Sequence, residues 1–121
     1  MTFYTCLKII EKLSLDIDKI SFKVTLNAAS ATGTNSNLKE GMLVKLRHLF
    51  YALMLPSGND AALALAENFG TMLRLFKLKT PNIAAIVYDK KELFSKLQTA
   101  KLPIKSFVKE MNKNSKALLL C

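Results

Sequence analysis

One stretch limits what this chain can fold into: Leu53-Met54-Leu55-Pro56-Ser57-Gly58-Asn59-Asp60-Ala61-Ala62-Leu63-Ala64-Leu65-Ala66-Glu67. Proline lacks a backbone N–H and its ring clashes with the preceding turn, so a helix must end at Pro56. The corner Ser57-Gly58-Asn59 follows, and a second helix is predicted from about Gly58 to Phe69. Gly70 suits the left-handed position just past its end. Asp60 and Glu67 are the only charges on that helix, and small or apolar residues cover nearly every face, so it belongs deep inside the molecule. A polar corner at the mouth of a buried helix can hold hydroxyl and amide groups rigidly against a ligand. Ser57 with Asp60 is also a capping-box pattern, with Ser57 as N-cap and an acid near the positive end of the helix dipole. Spacing alone leaves both meanings open, and capping is the commoner.

The rest of the chain is read from its periodicity. Residues 2 to 13 form a helical pattern, with Phe3, Leu7 and Ile10 on one stripe and Cys6 and Leu13 flanking it. Asp16 to Lys19 make a turn. Ile20, Phe22, Val24 and Leu26 alternate with Ser21, Lys23 and Thr25, which predicts a half-buried strand. Ala28 to Asn37 is rich in Ser, Thr, Asn, Ala and Gly and reads as a loop; its single Gly33 makes no phosphate-cradling motif. Lys39-Glu40-Gly41 is a turn and Met42 to Val44 a short strand. Leu46, Leu49, Phe50, Leu53 and Met54 then mark a helical stripe, with His48 on the other side. A lone histidine without partners at ligand spacing is given no role. A final helix is predicted near Ile104 to Leu119, carrying Phe107, Val108 and Met111 ahead of a polar Asn112 to Lys116 segment.

Charge and cysteine usage narrow the classes further. Eighteen Lys and Arg against nine Asp and Glu give a net charge of +9, which permits nucleic acid, anionic membrane or acidic polymer as partners. The lysines are scattered, however, with no Arg-rich run and no interleaved aromatics, so solvated helix faces are the expectation and no nucleic acid is expected. Cys6 and Cys121 are too few for a disulfide framework or a zinc site. Cys6 reads as a small buried hydrophobe. No basic segment precedes an apolar run at the start, and no apolar stretch approaches the ~20 residues of a membrane span, so neither signal peptide nor transmembrane segment is read.

Two stretches, Asn27-Ala28-Ala29-Ser30 through Leu38-Lys39-Glu40-Gly41 and Leu49 to Gly70 with its Pro56-Ser57-Gly58-Asn59-Asp60 core, resemble the D-alanyl-D-alanine carboxypeptidases. These are the low-molecular-weight penicillin-binding proteins of the serine peptidase kind. Phe107-Val108-Lys109-Glu110-Met111-Asn112 resembles that family's next helix, and together the matches span roughly two-thirds of the chain in family order. The enzyme class carries three motifs, Ser-x-x-Lys, Ser-x-Asn and Lys-Thr-Gly. Only the middle one, Ser57-Gly58-Asn59, is here. In the family Ser-x-x-Lys opens the helix that Met1 to Lys12 continues, and Met1-Thr2-Phe3-Tyr4 resembles the residues just after that lysine. The Lys-Thr-Gly strand would lie beyond Cys121.

The resemblance therefore implies a helix-rich α+β chain, part of the penicillin-binding, serine β-lactamase-like transpeptidase fold, with residues 1–121 a slice of one catalytic domain. Residues 71–103 interrupt the family pattern as an insertion of open conformation. Within it Ile86, Val87, Leu93, Phe94 and Leu97 suggest an amphipathic helix, a solvated packing helix before a lipid- or partner-binding one. The implied activity is serine-type D-Ala-D-Ala carboxypeptidase action on peptidoglycan stem peptides, with β-lactams as inhibitors and no cofactor or metal. Ser57 would relay a proton, Asn59 would position the lysine and bind the substrate amide, and Gly58 would permit the tight corner and close approach of substrate. Lacking the nucleophile, the chain alone is expected to be inactive. The family is usually exported or periplasmic. The alternatives are a noncatalytic module binding peptidoglycan or protein and, less favoured, a small basic nucleic-acid-binding helical protein.

Overall fold

The computed structural model of the chain describes residues 2–55, 58–77, 88 and 103–120. Helix α4 (Asn59–Lys77) runs through their middle, and 13 of its 19 residues are buried, which makes it the element the others pack on. The expectation of a deeply buried helix from Gly58 to Phe69 is met except at Asn59, which is exposed, and at Ala62 and Leu63, which are part-buried beside the groove. Two of its buried polar side chains are satisfied within the helix: the Asn68 amide donates to Ala64 O at 2.8 Å and the Thr71 hydroxyl to Glu67 O at 2.8 Å. Bonds to the carbonyl four residues back let polar groups sit inside a helix without orphaned atoms. Every buried side-chain nitrogen or oxygen among the described residues has a hydrogen-bond partner.

Helix α4 does not stop at Gly70. Met72, Leu73 and Leu75 continue the buried face, and burial of such side chains at ~1.5–3 kcal/mol each outweighs the ~1 kcal/mol cost of an interior glycine. Arg74 and Lys77 fall in the last turn, where cations complement the helix dipole. Residues 71–77, expected to begin an insertion, are thus the end of the central helix. The amphipathic pattern of Ile86, Val87, Leu93, Phe94 and Leu97 lies outside the described residues. Tyr88 packs against the core, and its hydroxyl accepts from Asp16 N at 3.0 Å.

The N-terminal helix α1 (Thr2–Leu13) forms where the 3.6-residue pattern predicts it. Its buried face differs from the predicted stripe: Thr5, Cys6 and Ile9 are buried while Leu7 is 44% exposed. The helix wedges against α4, α3 (Leu46–Met54) and α5 (Pro103–Leu120), so the face toward all three is the one bearing Cys6. Phe3 meets Phe50 of α3 edge-on at 5.0 Å, and the Asn114 amide of α5 donates to the Thr5 hydroxyl at 3.3 Å. Helix α5 opens on Pro103, where the missing N–H costs nothing. It lies along α4 and buries Phe107.

A 3₁₀ turn (Ile17–Lys19) leads into strand β1 (Ser21–Lys23), which pairs antiparallel with β2 (Leu43–Lys45), Phe22 opposite Val44. Ile20, Phe22 and Val24 are buried as their alternation predicts, and Phe22 meets Phe69 of α4 edge-on at 5.1 Å. The alternation breaks at Leu26, which is 61% exposed, because Thr25 caps the short helix α2 (Leu26–Ala29) instead of continuing the strand. Its hydroxyl accepts from Ala28 N at 3.2 Å. Helix α3 buries Leu46, Leu49 and Phe50 as predicted, but the stripe fades at its end, with Leu53 part-buried and Met54 exposed. The architecture is a helix-rich α+β arrangement with one two-stranded sheet. No described helix is long and apolar enough to cross a membrane.

Candidate functional site

Helix α3 ends with Leu55 N donating to Tyr51 O, and the chain re-enters the described region at Gly58. Pro56, the predicted helix end, and Ser57, the first residue of the predicted corner, lie outside it. Gly58 N donates to Ala52 O at 3.2 Å, and the Ser36 hydroxyl donates to the same carbonyl at 3.1 Å. A Cβ at Gly58 would collide with Ser36 Oγ and stand 2.8 Å from Asp60 Oδ1 and 3.1 Å from Ala52 O. Glycine is needed here for close packing of the protein's own groups, whatever else approaches it.

Asn59 is exposed and is tied at two points to the loop that precedes β2. Its backbone N donates to Thr34 O at 2.7 Å, and its side-chain Nδ2 donates to Thr32 O at 2.8 Å. Between these carbonyls Gly33 takes φ +84°, and a Cβ there would stand 2.7 Å from Asn59 Nδ2. The left-handed backbone and the close amide both call for glycine at that position.

Asp60 lies in the first turn of α4, as its spacing predicts, while Ser57, the other half of the predicted capping box, lies outside the described residues. Helix α4 begins at Asn59, with Ala62 N donating to Gly58 O. The Asp60 carboxylate accepts from Ser36 N through both oxygens, at 2.9 and 3.0 Å, from Leu38 N at 3.0 Å and from Ala61 N at 2.8 Å. Among the described residues its long-range partners are two backbone N–H groups of a distant loop. The loop offers those donors because it forms no ladder, and a buried carboxylate must find donors.

Asn59 stands on the rim of a groove of about 600 Å³ between α4 and α5. Ala62, Leu63 and Ala66 form one wall and Phe107, Val108 and Met111 the other. Asn27, Ser30, Thr32 and Thr2 join Asn59 at the polar edge, and none of the described lining residues is charged. A second hollow of about 310 Å³ lies on the far side of Asn59, against Phe3, Leu53 and Met54. Thr2, Asn59 and Ala62 line both, so the first turn of α1 faces the N-terminus of α4.

Burial pushes the Cys6 thiol well above its ordinary range, so it stays protonated and is no nucleophile. Burial also raises the Glu67 carboxyl, against lowering hydrogen bonds from Thr25 and Asn27; the Thr25 hydroxyl donates to Oε1 at 2.7 Å. This pair, which joins the cap of α2 to α4, has no periodic signature and was not legible in the sequence beyond the lone charge of Glu67 on an apolar helix. His48 is exposed on α3. Among the described residues no group of three or more His, Cys, Asp or Glu could hold a metal ion.

Chemically, the rim offers an amide fixed by backbone carbonyls, hydroxyls and an apolar trough, which suits an amide-bearing ligand. Comparison of the sequence with models of known protein families and with curated proteins finds no match.

Proposed function

We propose that this chain is part of a serine-type D-Ala-D-Ala carboxypeptidase of the penicillin-binding, serine β-lactamase-like fold, and that Ser57-Gly58-Asn59 is its middle motif. The observation that carries the reading is the shared rim: Thr2, at the start of α1, and Asn59, at the start of α4, line the same groove. In the family the attacking serine and its lysine base lie one turn ahead of the residues that Met1-Thr2-Phe3-Tyr4 resembles. A helix extended backwards from Thr2 would bring them to Asn59.

In such an enzyme the serine oxygen attacks the carbonyl of the terminal D-Ala-D-Ala peptide bond. The C–N bond breaks, D-alanine leaves with a proton, and water then hydrolyses the acyl-enzyme. Asn59 would orient the lysine and hydrogen-bond the substrate amide, and Ser57 would carry the proton between lysine and leaving amine. No cofactor enters these steps. The partner is a peptidoglycan stem peptide, with a β-lactam as its covalent mimic.

The test is acylation by a fluorescent β-lactam of the native protein that contains Leu49 to Gly70. The expected result is a covalent adduct on a serine of a Ser-x-x-Lys sequence, with Ser57→Ala and Asn59→Ala each slowing acylation roughly 10²-fold. Acylation unaffected by both substitutions would reduce the corner to packing. A second reading, a noncatalytic binding module, is favoured by the groove being walled by residues of this chain itself. It predicts saturable binding of a D-Ala-D-Ala peptide to the 121-residue chain with no covalent adduct.

A further inference from the structure

Asp60 is 1% exposed, and no described cation pairs with it. A buried carboxylate left to itself is costly, and here backbone N–H groups offset the charge. Two of its three described donors, Ser36 N and Leu38 N, belong to the segment whose carbonyls hold Asn59. Thr32 O takes the Asn59 side chain and Thr34 O its backbone. The neighbours Asn59 and Asp60 thus grip one loop in opposite senses, Asn59 donating to it and Asp60 accepting from it.

We propose that Asp60 is the positioning residue of this site: by holding Ser36 and Leu38 it fixes the 32–38 segment, which in turn fixes the side chain of Asn59. One Nδ2 hydrogen is committed to Thr32 O, which fixes the plane of the Asn59 amide. An amide held in this way has a second N–H to donate and Oδ1 to accept, the complement of a peptide unit. The significance for catalysis rests on the reading of the corner given above; the coupling of Asp60 to Asn59 does not.

Proton exchange in the full chain, read by ¹⁵N NMR, tests it without any acylation. In the wild type, Ser36 N–H, Leu38 N–H and the Asn59 side-chain amide exchange at least ~10²-fold more slowly than in an unstructured loop. Asp60→Asn keeps the shape but turns one acceptor into a donor facing another donor, so all three sites lose that protection together. Glu67→Gln, which removes the other buried carboxylate of the same helix, leaves them protected. The proposal is overturned if Ser36 and Leu38 exchange freely in the wild type, if Asp60→Asn leaves the Asn59 amide protected, or if Glu67→Gln frees it equally. Should Asp60→Asn not fold, the wild-type rates decide: protection of the three sites agreeing within ~10-fold supports the coupling, and a wider spread overturns it. Failure of the β-lactam test with this coupling intact would remove the enzyme and keep the positioning.

Discussion

Replacing Gly58 by alanine tests the corner by adding a single carbon. The new Cβ would collide with Ser36 Oγ, stand 2.8 Å from Asp60 Oδ1 and 3.1 Å from Ala52 O. Backbone at Ala52 and the anchored carboxylate of Asp60 cannot retreat cheaply, so the Ser36 side chain must give way. Overpacking a filled site costs about 1–3 kcal/mol. Expelling Ser36 Oγ from its 3.1 Å bond to Ala52 O adds about 1 kcal/mol. Alanine's smaller freedom in the unfolded chain returns at most about 1 kcal/mol. The net is a destabilisation of about 2 kcal/mol, enough to lower a urea midpoint by about 1 M. Equilibrium urea unfolding of wild type and Gly58→Ala reads it. Ser36→Ala in the same chain removes the nearest obstacle, so the double variant recovers part of the loss, a coupling of about 1 kcal/mol between the sites. A midpoint that stays or rises, or effects that simply add, would refute the reasoning.

Two further expectations concern the buried acid of α4. Burial, the largest cause, raises the Glu67 carboxyl above its ordinary 4.5 despite two lowering hydrogen bonds, so the native state holds that proton more tightly than the unfolded chain. Its contribution to stability therefore falls as pH climbs from 4.5 through the raised pKa, and Glu67→Gln flattens this limb of the stability–pH curve. Urea midpoints taken at successive pH values measure it, and an unchanged limb in the variant would exclude Glu67 as its source. Thr25→Ala removes both the cap of α2 and the hydroxyl that donates to Glu67, at a cost of about 1–3 kcal/mol. By deleting a lowering hydrogen bond it also steepens the Glu67 limb, which the same pH series checks.

How much of this was legible depends on whether a feature is local. The helical period of residues 2–13, the alternation of Ile20, Phe22 and Val24, and the stripe that begins at Leu46 each predicted an element that formed, and Ile20, Phe22, Val24, Leu46, Leu49 and Phe50 turn to the core. Leu26 continued the pattern but not the strand, because the capping hydroxyl of Thr25 competes with the ladder. Gly70 carries the signature of a helix end, yet burial of Met72, Leu73 and Leu75 overrode it. Which of two neighbouring stripes of α1 faces inward was settled by the helices around it, and it favoured Cys6 and Ile9 over Leu7. At the corner, Gly58 and Asn59 were singled out by sequence; Asn59 stands on the rim of the groove and Gly58 lines the smaller hollow. Asp60 was read as a cap acid because only its near neighbours are visible in a sequence; nothing periodic marks Ser36 and Leu38 as its partners. Loop residues name their donors only once the chain has folded around them.

That long-range grip has a kinetic consequence. Helices α1 and α4 are held by bonds between near neighbours, whereas the Asp60 carboxylate joins points 24 and 22 residues away along the chain. Closing such a loop carries an entropy cost that local structure does not pay, and it is met only after β2 and α3, which lie inside it, have docked. The groove's edge is then among the late regions to assemble and the early ones to open. In native-state exchange it should separate from the core as a cooperative unit of its own, releasing at a lower free energy than the middle of α4.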